Sequence, residues 1–318
     1  MSIIEKAVGK LEKEGGGHRD GEPEREVQVG GSAIDAGGAP ASASRGVPGP
    51  GAAPEVRQRG VEKVDLPLEK LAEIGMITPD KPRSQIAEEF RIIKRPLLLN
   101  IMGESAAMVD NINLIMVTSA LAGDGKTFSA INLAMSIAME QDKTVLFVDA
   151  DVSKATAAAL LGISGKRPGL IDLLEDPTIR MRDVMLHTNV PNLRILTAGR
   201  LHDRATELLA SEAMHRLMLD LSQRYPDRVI VFDSPPLLQS TEAVVLANLM
   251  GQVVFVVAAE QTSQDAVTEA VHLLKGEKII GMVLNKSRRR ISARYGYGYG
   301  YGYGYGYGTT RGEPAEAG

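Results

Sequence analysis

The chain has no cysteine, no tryptophan and only 5 phenylalanines among its 318 residues. Without cysteine there is no disulfide framework, no thiolate metal site and no cysteine nucleophile, which suits a reducing compartment. Long apolar runs are also missing. Stretches such as 253–259 have the length of a strand, far short of the roughly 18 residues that span a bilayer. Residues 1–14 are interrupted by Glu5, Lys6, Lys10, Glu12, Lys13 and Glu14, so they lack the apolar core of a secretory signal. The expectation is a cytoplasmic protein with no transmembrane segment of its own, so that any membrane association is borrowed from a partner. A net basic field is lacking as well: the formal charge of −4 disfavours nucleic acid as a ligand. The 5 histidines, at 18, 187, 202, 215 and 272, show no metal-ligand spacing.

What is present divides the chain into four zones. In residues 1–14, Ile3, Ile4, Ala7, Val8 and Leu11 recur at helical spacing and predict an amphipathic helix. Residues 15–63 are rich in Gly, Pro, Ala and Ser with few large apolar side chains, too few to offset the entropy of ordering, so a disordered linker is expected. Residues 64–287 alternate short apolar runs with amphipathic stretches, the pattern of a mostly parallel sheet covered by helices on both faces. The runs at 114–117, 145–148, 193–196, 229–232, 253–257 and 279–284 read as strands buried on both sides. Those at 128–141, 207–224, 242–249 and 266–274 read as helices. Residues 288–318 hold a basic segment, then Tyr295, Tyr297, Tyr299, Tyr301, Tyr303, Tyr305 and Tyr307 alternating with glycine.

The chemistry starts where the first of these strands ends. Ala120-Leu121-Ala122-Gly123-Asp124-Gly125-Lys126-Thr127 has the spacing of a phosphate loop, with Ala120 in place of its first glycine. A triphosphate needs inward-turned amides around its oxygens, which the glycines permit, and a helix N-terminus and Lys126 to meet its charge. Thr127 is the expected magnesium ligand, and the loop through Phe128 is the expected cradle for ATP. Two more acidic sites lie at strand ends, where open parallel sheets bind ligands: Asp149 with Asp151, and Asp233 before Ser234-Pro235-Pro236. Asp233 and one of the first pair suit magnesium or its waters, leaving the other carboxylate as a base. Asn285-Lys286, after the last strand, is placed to meet an adenine edge.

These residues resemble the bacterial tyrosine kinases of capsule and exopolysaccharide export, particularly the stand-alone autokinases associated with exosortase systems. The resemblance spans roughly 83–307. It implies an α/β, P-loop NTPase three-layer fold with ATP and magnesium as cofactors. It assigns the phosphate loop to Ala120–Thr127, the second acidic motif to 145–151, the metal-binding aspartate to Asp233 and autophosphorylation to the tyrosine cluster. Glu88, Arg91 and Lys94 resemble the family's subunit-contact helix, with Lys94 in place of its usual arginine, and imply a ring-like homo-oligomer. Pro168-Gly169-Leu170, Thr197-Ala198-Gly199 and Glu207-Leu208-Leu209 match further family segments. The implied partner is a membrane-anchored polysaccharide chain-length determinant. Ser153 stands where many members carry a basic residue.

Two rival readings stay beside it. Partitioning ATPases carry an additional lysine five residues before the invariant one, where this chain has Leu121, so that class is disfavoured. A nucleotide-gated regulator of polysaccharide assembly would need ATP binding but no phosphoryl transfer. The tail favours a kinase, because tyrosines separated by glycine can enter an active site one after another. A phenol with a pKa near 10 needs a positioned carboxylate, either Asp149 or Asp151. Each added phosphate brings roughly −1.5 to −2 charge, enough to loosen an assembly of like tails.

Overall fold

The computed structural model describes residues 62–103, 109–165, 167–224 and 227–287. The expected N-terminal helix, nearly all of the linker and the tyrosine tail lie outside the described residues. Eight strands form one sheet: β1 (Lys63–Val64), β2 (Leu114–Ser119), β3 (Thr144–Asp149), β4 (Leu186–Thr188), β5 (Leu193–Leu196), β6 (Arg228–Asp233), β7 (Gln252–Ala258) and β8 (Ile279–Asn285). Their spatial order is β1-β4-β5-β3-β6-β2-β7-β8. Every neighbouring pair is parallel except β4 with β5. The chain joins the sheet at Lys63, the last residue of the expected linker.

The continuous apolar runs become strands because both faces of the sheet are covered. Alternate residues divide between two cores. Ile115, Val117, Val145, Phe147, Val229 and Val231 point to one face, and Leu114, Met116, Leu146, Val148, Ile230 and Phe232 to the other. On the first face lie α1 (Leu68–Glu73), α2 (Gln85–Ile101) and α3 (Lys126–Ala138), whose side chains complete that core. The second is closed by α5 (Leu170–Glu175), α7 (Ala205–Leu209), α8 (Glu212–Arg224), α9 (Thr241–Ala247) and α10 (Gln264–His272), while the short α4 (Thr156–Leu160) and α6 (Met181–Val184) complete the helices among the described residues. Among those residues no helix is long and apolar enough to cross a membrane.

Two expectations are corrected. The helix expected over 207–224 is broken, because the Ser211 hydroxyl donates to Leu208 O at 2.6 Å and accepts from Met214 N at 3.3 Å, ending α7 and capping α8. The strand expected to be buried on both sides at 279–284 is the sheet's edge, with a single neighbour, and Leu284 is 64% exposed.

Candidate nucleotide and phosphoryl-transfer site

The phosphate loop joins β2 to α3. Gly123 and Gly125 adopt φ of +90° and +99°, conformations that cost a side-chain-bearing residue 1–2 kcal/mol by rough estimate. At Gly125 there is also no room: a Cβ would lie 2.1 Å from Asn285 Nδ2. The left-handed turn at Gly125 immediately precedes α3, so the amides at that helix's start face the loop interior. Asp124 is buried and ties the loop together, accepting from Leu121 N at 3.3 Å and from Thr262 Oγ1 at 2.7 Å. Ala122 and Phe128 flank this turn.

Lys126 is buried at the first turn of α3. Burial lowers its pKa, while Asp233, Asp151 and Asp124 pull it back up and Lys154 pushes it down. Facing it are the ends of β3 and β6. Asp149 and Asp233 are directly paired across these strands and each is 1% exposed. None of their four carboxylate oxygens has a hydrogen-bond partner. Burial first, then Asp233 and Asp151, pushes Asp149 up to about 8, although the nearby amides of Asp151 and Ala157 pull it back. Burial pushes Asp233 up to about 7 against the pull of the Thr127 hydroxyl and Lys126. Those amides and that hydroxyl approach the carboxylates without meeting hydrogen-bond geometry, so the oxygens stay orphaned.

Buried, unbonded carboxylates beside a phosphate loop fit a hard divalent cation. Among the described residues no three His, Cys, Asp or Glu side chains are grouped to enclose a metal alone. Magnesium suits such a partial set, because it is usually held by one or two carboxylates together with substrate phosphates and waters.

Asp151 differs from Asp149. It is 7% exposed, and its Oδ1 accepts Lys154 N at 3.3 Å in a turn that places Ala155 at φ +42°. Asn285 does not present a free amide: its Nδ2 donates to Asp124 O at 2.8 Å and its Oδ1 accepts from Lys286 N at 2.8 Å. Lys94 points into the fold, donating to Ser136 O at 2.6 Å and pairing with Glu140 at 2.5 Å, whereas Glu88 and Arg91 pair with each other on the exposed face of α2. The Lys94 ammonium is therefore taken up within its own chain. Sequence reasoning missed Thr262 and Lys154, and it placed Lys286 with Asn285 at an adenine edge, whereas Lys286 Nζ lies on Gly123 O at 2.7 Å. No motif marks Thr262, while Lys154 sits within three residues of an expected site residue.

The family model described as an AAA domain matches residues 112–285. Tyrosine-protein kinase CapB, a name qualified as provisional, from Staphylococcus aureus is 34% identical over 209 residues, 65% of this chain and 87% of CapB. The kinase domain of the Escherichia coli tyrosine kinase ETK is 25% identical with a TM-score of 0.59, covering 76% of this chain and 96% of that domain. The crystal structure of the chimerical protein CapA2B2 is 28% identical with a TM-score of 0.57, covering 69% of this chain and 99% of the chimera.

Proposed function

The chain belongs to the family of bacterial tyrosine-protein kinases, and from that premise we propose that it is an ATP-dependent protein-tyrosine autokinase acting on its own C-terminal tyrosines. One observation carries the reading: four orphaned oxygens of Asp149 and Asp233 beside a buried phosphate-loop lysine. Thr127, Asp149 and Asp233 would hold magnesium, which when bound neutralises charge on the β- and γ-phosphates. Lys126 and the amides of Gly123 to Thr127 orient the triphosphate and stabilise charge on the transferring group. Asp151, the more accessible of the acidic pair, is the base for the phenol. The tyrosine oxygen forms a bond to the γ-phosphorus, the β–γ bridging bond breaks to release ADP, and the phenolic proton passes to the carboxylate.

Tyr295 to Tyr307 are the acceptors. The exposed Glu88 and Arg91, with Ile92 76% exposed beside them, support a contact between copies in a ring that dissociates as the tails become phosphorylated. The likeness to the chimerical protein CapA2B2 supports a second chain, which we take to be a membrane-anchored chain-length determinant of polysaccharide export that holds this cytoplasmic protein at the inner membrane. Incubation of the full chain with γ-labelled ATP and magnesium tests the reading. Label mapped to the tail tyrosines and lost in Lys126→Ala supports it; ATP binding without label, alone and with the partner's cytoplasmic segment, overturns it.

A further inference from the structure

A phosphate loop that turns its amides towards a ligand turns carbonyls away, and those carbonyls need donors elsewhere. Three have them. Ser119 Oγ donates to Leu121 O at 2.7 Å, Asn285 Nδ2 to Asp124 O at 2.8 Å and Lys286 Nζ to Gly123 O at 2.7 Å. Only the first donor is local; the other two come from the end of β8, 161 and 163 residues along the chain. Lys286 Nζ also reaches Gln261 Oε1 at 3.3 Å, next to the Thr262 that holds the Asp124 carboxylate.

The backbone at Lys286 carries a second sign of a determined position. Its φ is +58°, a left-handed conformation that non-glycine residues keep only where their surroundings impose it. The bond from its amide to Asn285 Oδ1 holds that turn, and the turn goes with a long side chain laid back over the phosphate loop. An ammonium on a carbonyl makes a charge-assisted hydrogen bond. It also brings a positive charge to the rim of a site whose ligand is a polyanion.

We propose that Lys286 is a positioning residue for the nucleotide: it holds the Gly123 carbonyl outward, and so keeps the loop amides turned towards the phosphates before any ligand arrives. It acts through the loop, without contacting the phosphates. The inference rests on the reading of residues 122–127 as the phosphate site. Preorganisation of this kind favours ground state and transition state alike, so its loss appears in binding more than in turnover.

The test uses the full chain with three variants, Lys286→Met, Lys286→Arg and Lys126→Ala, titrated with Mg·ADP and Mg·ATP and assayed for tail phosphorylation. Lys286→Met is expected to raise Kd for both nucleotides, and KM for ATP, by about three- to tenfold, with kcat within about twofold. Lys286→Arg, which keeps charge and donor, is expected to recover most of the loss. The ligand-free melting temperature should be nearly unchanged, because Lys286 is exposed. Wild-type Kd and KM in Lys286→Met, with binding lost in Lys126→Ala, would overturn the role of Lys286 alone. A lowered ligand-free melting temperature that arginine does not restore would reduce Lys286 to a structural residue, overturning it as well. Undiminished binding in Lys126→Ala would overturn the phosphate-site reading and this inference with it.

Discussion

Asp149 and Asp233 face each other in register at the ends of β3 and β6, both buried and neither hydrogen-bonded. Burial disfavours the charged form of both, and nearby carboxylates add to it, Asp233 and Asp151 at Asp149 and Asp151 at Asp233.

The pair gives the ligand-free protein an unusual pH dependence. Both folded pKa values lie above the ordinary carboxylate value of 3.8, at about 8 and about 7. The folded state therefore binds more protons than the unfolded chain, and the stability so gained is complete below pH 3.8 and lost as pH rises through 7 to 8. Melting temperature without nucleotide or metal should fall by on the order of 5 °C between pH 6 and pH 8.5. Asp149→Asn should flatten that slope, and saturating magnesium with ADP should offset it. A wild-type slope in the variant would contradict the assignment.

Gly125→Ala should disable nucleotide binding. The new methyl would meet Asn285 Nδ2 at 2.1 Å in a backbone held at φ +99°. Relieving the clash with Asn285→Ala should restore only part of the loss, since the left-handed strain of about 1–2 kcal/mol stays. Calorimetric titration with Mg·ADP distinguishes the two contributions.

Lys94→Ala should behave as a folding variant. Its side chain is 9% exposed and its ammonium is held by Ser136 O and Glu140, so its removal is expected to cost about 1–3 kcal/mol by urea unfolding. Glu88→Ala and Arg91→Ala, at an exposed pair, should shift unfolding by less than about 0.5 kcal/mol while changing the oligomer seen by light scattering. Equal destabilisation by all three would remove the distinction.

Gly169→Ala should be among the most damaging substitutions outside the site. A Cβ there would lie 2.2 Å from Thr197 O and 2.4 Å from Gly199 N. Asp172→Ala, at the buried carboxylate that receives the amides of Gly169 at 2.9 Å and Arg200 at 3.2 Å, should cost about 2–3 kcal/mol. Unfolding midpoints that match the wild type would show that these loops carry no such strain.

Much of the site was legible in the sequence because its parts are contiguous. Residues 120–127 carry their spacing wherever they are met, and an acid at the end of an apolar run predicts its own place at a strand's end. Lys94 was less legible. It lies at helical spacing with Ala87, Phe90 and Leu97, the buried face of α2, yet a lysine at such a position reads from sequence as a surface charge. Its partners, Ser136 and Glu140, belong to the end of another helix and the turn after it. Asn285 was placed near the nucleotide, but the bonds occupying its amide depend on how closely the loop approaches β8.

By itself, the sequence determined the layered α/β architecture, the phosphate loop, the acidic strand ends and the composition of the tail, since each is written in neighbouring residues or in a short period. Only the tertiary structure decided that β3 and β6 are adjacent, bringing Asp149 opposite Asp233, and that β8 is an edge whose last residues, with Lys286 beyond them, bolt the phosphate loop from outside. Strand order follows from how crossing helices pack on the two faces of the sheet, a property of the whole chain that no local pattern encodes.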